Sequence, residues 1–244
     1  AKSGMVLLYP KGFNLKAYEL VLRSDNIAIG YINTIKYVGI GTAINVIMTL
    51  LAAYGLSRKW LYGRNALMFL ITFTMFFGGG LIPHYLVVRS LNLYNTFWAL
   101  VIPNAVGAYN IIIMRTYFLG IPDSMEESAK IDGANDYTIL FRIILPLSLP
   151  VVAVNVLFYS VGHWNSWFQA MIYLKNRDLY PLQLFLREIL IVNRLQEVTD
   201  VYTEEVSENI KYATIIVSTI PILMLYPFVQ KYFVQGVMVG AIKG

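Results

Sequence analysis

Five apolar runs constrain the fold of this chain more than any other feature of its sequence. They lie near residues 29–56, 66–88, 97–118, 144–166 and 211–233. A helix needs about 20 mostly apolar residues to cross about 30 Å of hydrocarbon, and each run is long enough. Because only helices and closed barrels pair their whole backbone in lipid, runs of this length indicate helices. The sequence therefore predicts an all-α polytopic membrane helical bundle, with residues 1–244 forming one transmembrane domain.

The composition agrees with a membrane protein. Charged residues make up 14% of the chain, whereas a soluble domain usually carries about 25%. The net charge of +5 is compatible with nucleic-acid binding, but basic residues of so apolar a chain more often lie in loops at an anionic membrane surface. We therefore expect contact with membrane lipid and none with nucleic acid. The absence of cysteine excludes disulfides and thiolate chemistry.

Helix-breaking residues lie inside three of the runs. They are Gly78, Gly79, Gly80 and Pro83 in the second run, Pro103 in the third, and Pro221 and Pro227 in the fifth. Proline removes a helical hydrogen bond, so such helices kink or unwind where neighbours or a cavity satisfy the freed carbonyls. One kink is ordinary packing, whereas breaks in three spans favour a moving pathway. We therefore predict that Gly78, Gly79, Gly80 and Pro83 form a gating element.

A polar, charged segment at residues 122–146 separates the third and fourth runs. Ser124 and Glu127 fit a capping box at a helix start, with Asp123 adding negative charge near the positive helix end. Gly133 is expected to end this helix because glycine accepts the positive φ of a tight turn. Asn135 then begins a second helix. The segment is predicted to be a helix–Gly–helix hairpin at the membrane surface, suited to a groove on a partner protein.

Polar and aromatic residues mark the end of the fourth run. Asn155, Tyr159 and His163 recur every four residues and share one helical face. Polar side chains in a span usually face the bundle interior or a water-filled cavity. Aromatic faces beside hydrogen-bonding groups suit sugar rings, so we interpret these three residues as a substrate pathway together with Trp164, Asn165 and Trp167. For the two tryptophans, an aromatic belt at the membrane interface is an equally good interpretation.

The sequence contains no signature of catalysis or of metal binding. No G-x-x-x-x-G-K-[ST] loop occurs, so the chain does not bind ATP by that route. His84 and His163 lack metal-ligand spacing, and no nucleophile–base motif is present. We therefore expect no catalytic residue, no metal and no cofactor bound by this chain.

Charge does not settle which loops face the cytoplasm. The segment between the first two runs carries Arg58, Lys59 and Arg64, which favours a cytoplasmic location. The N-terminal segment is also basic and would then lie outside. The segment 167–208 carries four basic and seven acidic residues, with an amphipathic pattern over residues 180–192. We expect it to be a solvated loop with a surface helix that docks a partner.

One string within the hairpin closely resembles a family motif. Glu127, Ser128 and Ala129 are followed by Asp132, Gly133 and Ala134, and then by Leu145, Pro146, Leu147 and Pro150. This spacing resembles the EAA loop of permease subunits of bacterial binding-protein-dependent ABC importers. Ser128 stands where the family motif has its first alanine, so one small residue takes the place of another. The strings FGGGLIP at 77–83, GHWNSW at 162–167, YPLQL at 180–184 and GVMVGA at 236–241 resemble carbohydrate permeases. They are similar to the branch related to the second maltose-type permease subunit, the lipoprotein or polysaccharide-oligosaccharide permeases.

The resemblance implies a role for the hairpin and a set of partners. The EAA loop would face the cytoplasm and dock into an ATP-hydrolysing subunit, and residues 167–208 would be external. The implied coupling residues are Glu126, Glu127, Ser128, Ala129, Asp132, Gly133, Ala134 and Pro146. The implied partners are a second permease subunit forming a heterodimer, two ATP-binding cassette subunits that hold ATP and Mg, and a solute-binding protein.

The resemblance also implies a location and a class of cargo. The family is multi-pass in the bacterial cytoplasmic (inner) membrane and usually has six spans, one of which would precede the five found here. The cargo would be an oligosaccharide from a plant or algal polysaccharide, acidic in some members. An ion-gradient-driven secondary transporter of a small polar solute is the alternative, and a purely structural membrane subunit is a third interpretation. A secondary transporter is expected to show inverted repeats and ionisable residues deep in the spans. In this chain, only Lys36 is a charged residue well inside a run.

Overall fold

The first apolar run forms one long helix. The computed structural model describes residues 24–199 and 212–221, with residues 18, 19, 21, 223 and 224, and omits the side chains of 192–199. Helix α1 covers Asp25–Ser57 and contains a π-helical turn at Tyr37–Gly41. Its 33 residues make it, within the described ranges, the one unbroken helix long and apolar enough to cross a bilayer.

The second run is two helices joined at a sharp bend. Helix α2 covers Arg64–Phe76 and helix α3 covers Leu81–Ser90, and their axes differ by 117°. Gly80 has a φ of +82°, a conformation that side chains rarely adopt. Pro83 lies in the first turn of α3, where an N–H has no intrahelical partner to lose. The break is therefore at the glycines, and Pro83, which we expected to contribute to it, does not interrupt the helix.

The third run is also divided. Helix α4 covers Trp98–Val101 and helix α5 covers Ala108–Leu119, with residues 102–107 non-helical between them. The Asn45 side chain donates a hydrogen bond of 2.5 Å to the carbonyl of Asn104. The N–H of Gly107 donates one of 3.0 Å to the hydroxyl of Tyr159. Neighbouring side chains thus bond part of the backbone that the break exposes.

The polar segment and the fourth run form a hairpin that turns into a core helix. Helix α6 covers Asp123–Ile131, and helix α7 covers Asp136–Leu147 with a π-helical turn at Leu140–Ile144. Helix α8 covers Leu149–Trp164 and is bent from α7 by 84° at Ser148. If each bent pair counts as one span, the described residues contain up to three spans by length and composition.

Residues 167–191, the part of the predicted loop whose side chains the structure describes, are more buried than the sequence predicts. Helix α9 covers Trp167–Tyr173, a 3₁₀ turn covers Arg177–Leu179, and helix α10 covers Leu182–Thr199. Leu182, Phe185 and Leu186 are buried, so α10 is not a surface helix. Gly30 of α1 allows this contact, because a Cβ there would lie 2.9 Å from the Cα of Leu182. Helix α11 covers Tyr212–Pro221 within the predicted fifth run, whose Pro227 lies outside the described residues.

Three apolar clusters hold these helices together along α1. The first joins the C-terminal part of α1 to α5 and the hairpin through Tyr54, Phe118 and Ile139. The second surrounds Tyr37, and the third joins Ile27 to α8, α10 and α11. Regular structure within the described ranges is entirely helical, which confirms the all-α prediction.

The two polar regions lie at opposite ends of α1. Asn33 donates hydrogen bonds of 2.6 and 3.1 Å to the carbonyls of Asp178 and Tyr180. Arg58, just past the other end of α1, forms an ion pair with Glu126 of the hairpin. The 25 steps along the helix from Asn33 to Arg58 span about 38 Å, more than the hydrocarbon thickness of a bilayer.

Candidate functional site

The first helix of the hairpin begins two residues earlier than the sequence predicts, with Pro122 rather than Ser124 at the N-cap position. Helix α6 starts at Asp123, directly after Pro122, and no side chain caps it. The expected capping box of Ser124 and Glu127 is therefore wrong. Pro122 has a fixed φ of −58° and cannot donate a backbone hydrogen bond, so the helix can begin immediately after it. The Ser124 carbonyl instead accepts a hydrogen bond of 2.8 Å from the Ser128 hydroxyl.

The turn of the hairpin has the predicted glycine conformation. Gly133 has a φ of +79°. Its N–H bonds the carbonyl of Lys130 at 3.0 Å, and the N–H of Ala134 bonds the carbonyl of Ala129 at 2.9 Å. This pair of bonds is a Schellman motif, which satisfies the last carbonyls of α6. Asn135 then caps α7 by accepting a bond of 2.8 Å from the N–H of Thr138, as expected for the second helix.

The hairpin has a buried face and an exposed face. On the buried face, Ala129 of α6 packs with Ile139, Leu140 and Ile144 of α7 against the first core cluster. Of the residues that the family resemblance implies for coupling, Glu126 and Ala129 are buried and Ala134 is half-buried. Those that are exposed are Glu127, Ser128, Asp132, Gly133 and Pro146. A cavity of about 500 Å³ between the two arms has Ser128, Arg142 and Pro146 among its lining residues.

Two ion pairs tie the hairpin to the end of α1. Arg58 and Glu126 form a buried pair, and Lys59 and Asp123 form an exposed one. The hydrogen bond from Lys59 lowers the pKa of the Asp123 carboxyl. Burial lowers the pKa of the Arg58 guanidinium, which nevertheless stays protonated at neutral pH. Arg58 could not be predicted as a site residue from the sequence, because it lies 68 positions from Glu126 and no local pattern links the two.

A buried polar network lies in the middle of the bundle. Asn155, Tyr159 and His163 of α8 are 0%, 8% and 7% exposed. The Tyr159 hydroxyl lies 2.6 Å from the hydroxyl of Thr49 on α1. Nε2 of His163 lies 2.6 Å from Oδ1 of Asn45, also on α1. Three of the predicted pathway residues therefore share one inward face.

A cavity of about 240 Å³ adjoins this network. Its lining residues come from α4, the break at 102–107, α8 and the start of α9: Leu100, Asn104, Val106, Gly107, Phe158, Tyr159, Gly162, His163, Ser166 and Gln169. Tyr159 and His163 are predicted pathway residues that reach it. Asn155 instead donates a hydrogen bond of 2.9 Å to the carbonyl of Val151. Asn104, Ser166 and Gln169 add further polar groups to the lining of this cavity.

The remaining predicted pathway residues do not line this cavity. Trp164 is buried in the third core cluster, where its ring meets Tyr31 edge-on at 6.5 Å. Asn165 is exposed and bonds the carbonyl of Val161 at 2.9 Å. Trp167 is half-buried beneath Arg187, whose guanidinium carbon lies 3.7 Å from the centre of the indole. Within the described ranges, no three His, Asp or Glu side chains converge to hold a metal ion.

Residues 45–239 match the family of binding-protein-dependent transport system inner membrane components. The chain belongs to this family. The match covers the hairpin, the polar network and the cavity together. The chain is therefore a non-catalytic membrane component of a transporter, which works in complex with other subunits. Membership of this family decides against the two alternative interpretations of the chain, a secondary transporter and a purely structural subunit.

Curated relatives narrow the family to carbohydrate import. The polygalacturonan/rhamnogalacturonan transport system permease protein YtcP of Bacillus subtilis is 45% identical over 243 residues, covering 98% of this chain and 85% of YtcP. Protein LplC of Bacillus subtilis is 41% identical over 240 residues, covering 97% of this chain and 81% of LplC.

A solved structure agrees with both the fold and the class. One chain of a bacterial ABC transporter involved in the import of the acidic polysaccharide alginate superposes with a TM-score of 0.86. The two chains are 36% identical, and the match covers 95% of this chain and 84% of the other. The chain is thus a permease of an ABC importer for sugars or polysaccharides.

Proposed function

We propose that the exposed face of the hairpin binds an ATP-hydrolysing subunit and couples ATP hydrolysis to transport. The observation that carries this proposal is the division of the hairpin into two faces. The buried face is fixed to the chain's own core through Ala129, Ile139 and Ile144. On the exposed face, the side chains of Glu127 and Asp132 lie outside the core. Asp132 directly precedes the turn at Gly133. An element that is rigid on one side and exposed on the other can transmit movement of a partner.

The route of coupling follows from the contacts of the hairpin. Its first core cluster contains residues of α1, α5 and α8, so displacement of the hairpin reaches three elements around the polar network. ATP binding at the partner would then shift the population between two arrangements of the bundle. The cavity beside Tyr159 and His163 would open to one side of the membrane in each arrangement. In this proposal the break at Gly78, Gly79 and Gly80, between α2 and α3, serves as a gate.

The proposed complex contains the other subunits of an importer. Two ATP-binding cassette subunits hold ATP and Mg on the cytoplasmic side, and a second permease subunit completes the pathway. A solute-binding protein delivers the cargo on the external side of the bacterial inner membrane. The separation of about 38 Å along α1 supports this assignment, because it allows the hairpin and residues 178–180 to face opposite sides of a bilayer.

We propose an acidic oligosaccharide as the cargo. Two of the relatives are named for acidic polysaccharides: YtcP for polygalacturonan and rhamnogalacturonan, and the transporter of the solved structure for alginate. In this chain, the guanidinium carbon of Arg187 lies 3.7 Å from the centre of the Trp167 indole, and Arg187 has no acidic partner among the described residues. Trp167 follows Ser166, which lines the cavity. A guanidinium stacked on an indole offers a carboxylate two donors next to an aromatic face, which suits a uronic acid unit.

Substitution of Gly133 tests the coupling proposal. Gly133→Val places a β-branched residue at a φ of +79°, which L side chains other than Asn and Asp rarely adopt. Gly133→Asn is the matched control, because Asn tolerates this conformation. We expect Gly133→Val to lose co-purification of the ATP-hydrolysing subunit or its substrate-stimulated ATP hydrolysis, and Gly133→Asn to keep both. Unchanged coupling in Gly133→Val would contradict the proposal.

A further inference from the structure

We infer that Arg58 is a positioning residue for energy coupling, which holds the hairpin in fixed register with α1 through its buried ion pair with Glu126. This inference rests on the proposed function of the hairpin and adds the joint through which its movement reaches the first span. The pair connects residue 58, at the end of α1, with residue 126 in the middle of α6.

The guanidinium of Arg58 is held in place by contacts other than its ion pair with Glu126. Its Nε donates a hydrogen bond of 3.0 Å to the hydroxyl of Ser57, and that hydroxyl bonds the carbonyl of Tyr54 at 2.7 Å. The guanidinium carbon also lies 4.7 Å from the centre of the Tyr54 ring. Arg58 is therefore fixed to the last turn of α1 by two contacts of its own.

Glu126 is held from both sides. One carboxylate oxygen accepts from Arg58, and the other accepts from Lys130 of the same helix at 2.8 Å. The side chains of Arg58 and Glu126 are only 8% and 11% exposed. The carboxylate therefore depends on these two cations for its stability, because a buried charge is strongly disfavoured without partners.

The buried pair supplies a property that the apolar contacts of the hairpin lack. Hydrophobic contacts are non-directional, so the first core cluster holds the hairpin against α1 without by itself selecting one register between them. A buried ion pair has one favourable geometry, and breaking it leaves an unpaired charge away from water. The exposed pair of Lys59 and Asp123 lies at the same junction, with side chains 73% and 61% exposed. Such a pair is screened by water and holds its geometry weakly.

The double substitution Arg58→Gln with Glu126→Gln tests this role. It removes both buried charges together, so neither is left unpaired and the chain is expected to fold and assemble. The matched control is Lys59→Gln with Asp123→Asn, which removes the exposed pair at the same junction. If Arg58 only stabilises the fold, the two double variants should respond to ATP in the same way.

The readout uses the absence of cysteine from the chain. Val106→Cys places a thiol on the cavity wall, within the broken segment of the third run. Labelling of this thiol by a charged maleimide, with and without ATP and in the full complex, reports whether ATP binding reaches the cavity. No transported sugar is needed for the measurement.

We expect ATP to change the labelling rate about five- to tenfold when Arg58 and Glu126 are intact, within the usual range of coupling between sites. The variant lacking both should show no ATP response while the ATP-hydrolysing subunit still co-purifies. The variant lacking Lys59 and Asp123 should respond fully. If the Arg58 and Glu126 variant does not assemble, Arg58→Met with Glu126→Leu replaces it, because apolar side chains of similar size remove both charges without leaving a buried polar group unpaired. A full ATP response in that variant would overturn the inference.

The same readout separates this inference from the proposed function. If Gly133→Val abolishes the ATP response and the double substitution of Arg58 and Glu126 preserves it, the inference is overturned and the hairpin keeps its role. If Gly133→Val also preserves the response, the proposed function of the hairpin is itself contradicted. An ATP response lost in both variants supports the inference and the function together.

Discussion

Gly41 lies where the imidazole of His163 meets the first helix. A Cβ at position 41 would lie 2.6 Å from Cε1 of His163, closer than any packed carbon can approach. The missing side chain therefore provides the space from which His163 reaches Asn45, at 2.6 Å. Asn45 in turn bonds the carbonyl of Asn104. A single glycine thus supports the contact between α1, α8 and the break in the third run.

Gly41→Ala is expected to destabilise the protein. Overpacking a filled site costs about 1–3 kcal/mol, and the added methyl group must displace His163. Gly39→Ala is the matched control, because it lies in the same π-helical turn and its Cβ would meet nothing within 4 Å. Thermal unfolding of the purified complex in detergent measures both. A midpoint for Gly41→Ala as high as that for Gly39→Ala would contradict this account.

Residues whose role depends on local backbone geometry could be predicted from the sequence. Gly133 and Asn135 have the turn and cap that their residue types favour. The prediction that Ser124 caps the first helix of the hairpin is wrong, because the N-cap position is at Pro122, two residues earlier. The pair of Arg58 and Glu126 could not be predicted, since it depends on how α1 and α6 meet in space.

At the scale of elements, the break at 102–107 is held by side chains of α1 and α8, which pack against it. The Tyr159 hydroxyl accepts from the N–H of Gly107 at 3.0 Å and also contacts Thr49 of α1. An unwound segment inside a bundle persists only where such partners replace the lost helical bonds. Tyr159 therefore fixes the conformation of the cavity wall as well as lining it.

Tyr159→Phe is expected to loosen the break at 102–107. Removing the hydroxyl leaves the Gly107 N–H without its acceptor, which costs about 1–3 kcal/mol. Amide hydrogen exchange in this segment should then be faster by about tenfold or more, since each 1.4 kcal/mol is a factor of ten. Tyr109→Phe is the control, because that residue lies on α5 and is 56% exposed. Equal exchange in the two variants would show that Tyr159 does not hold the break.

The apolar runs of the sequence predict helices better than they predict how those helices pack. Hydrophobicity indicated where helices lie but not the bends of 117° and 84°. The amphipathic pattern at 180–192 predicted a helix, but periodicity does not identify what covers its apolar face. In the structure α1 covers it, and Thr34 accepts from the N–H of Leu182 at 2.8 Å. Such packing depends on partners distant in sequence.

At the scale of the whole molecule, the chain places two kinds of surface at opposite ends of one helix. The hairpin, with its acidic edge, lies at the C-terminal end of α1. The 3₁₀ turn at Arg177–Leu179 lies near the other end, where Tyr37 bonds the carbonyl of Leu179 at 2.9 Å. A family motif could identify the hairpin from the sequence. The substrate could not be read in the same way, because its contacts depend on how α8, α9 and α10 meet.

Arg187→Gln is expected to weaken transport of acidic sugars selectively. A hydrogen bond to a charged group contributes about 1.5–3 kcal/mol, so the KM for an oligogalacturonate should rise about tenfold or more. The KM for a neutral oligosaccharide that the complex transports should change little. Lys175→Gln removes another exposed cation after α9 and serves as the control. An equal change for acidic and neutral sugars would contradict recognition of a carboxylate by Arg187.

Photo-cross-linking from the hairpin tests the central claim most directly. The chain has no native cysteine, so Glu127→Cys provides a single attachment point for a benzophenone maleimide on the exposed face of α6. Leu91→Cys, which is exposed in the turn after α3, is the control at the other end of α1. We predict that illumination of the assembled complex links position 127 to the ATP-hydrolysing subunit and does not link position 91 to it. Failure of position 127 to link to that subunit, or equal linking from position 91, would contradict the account.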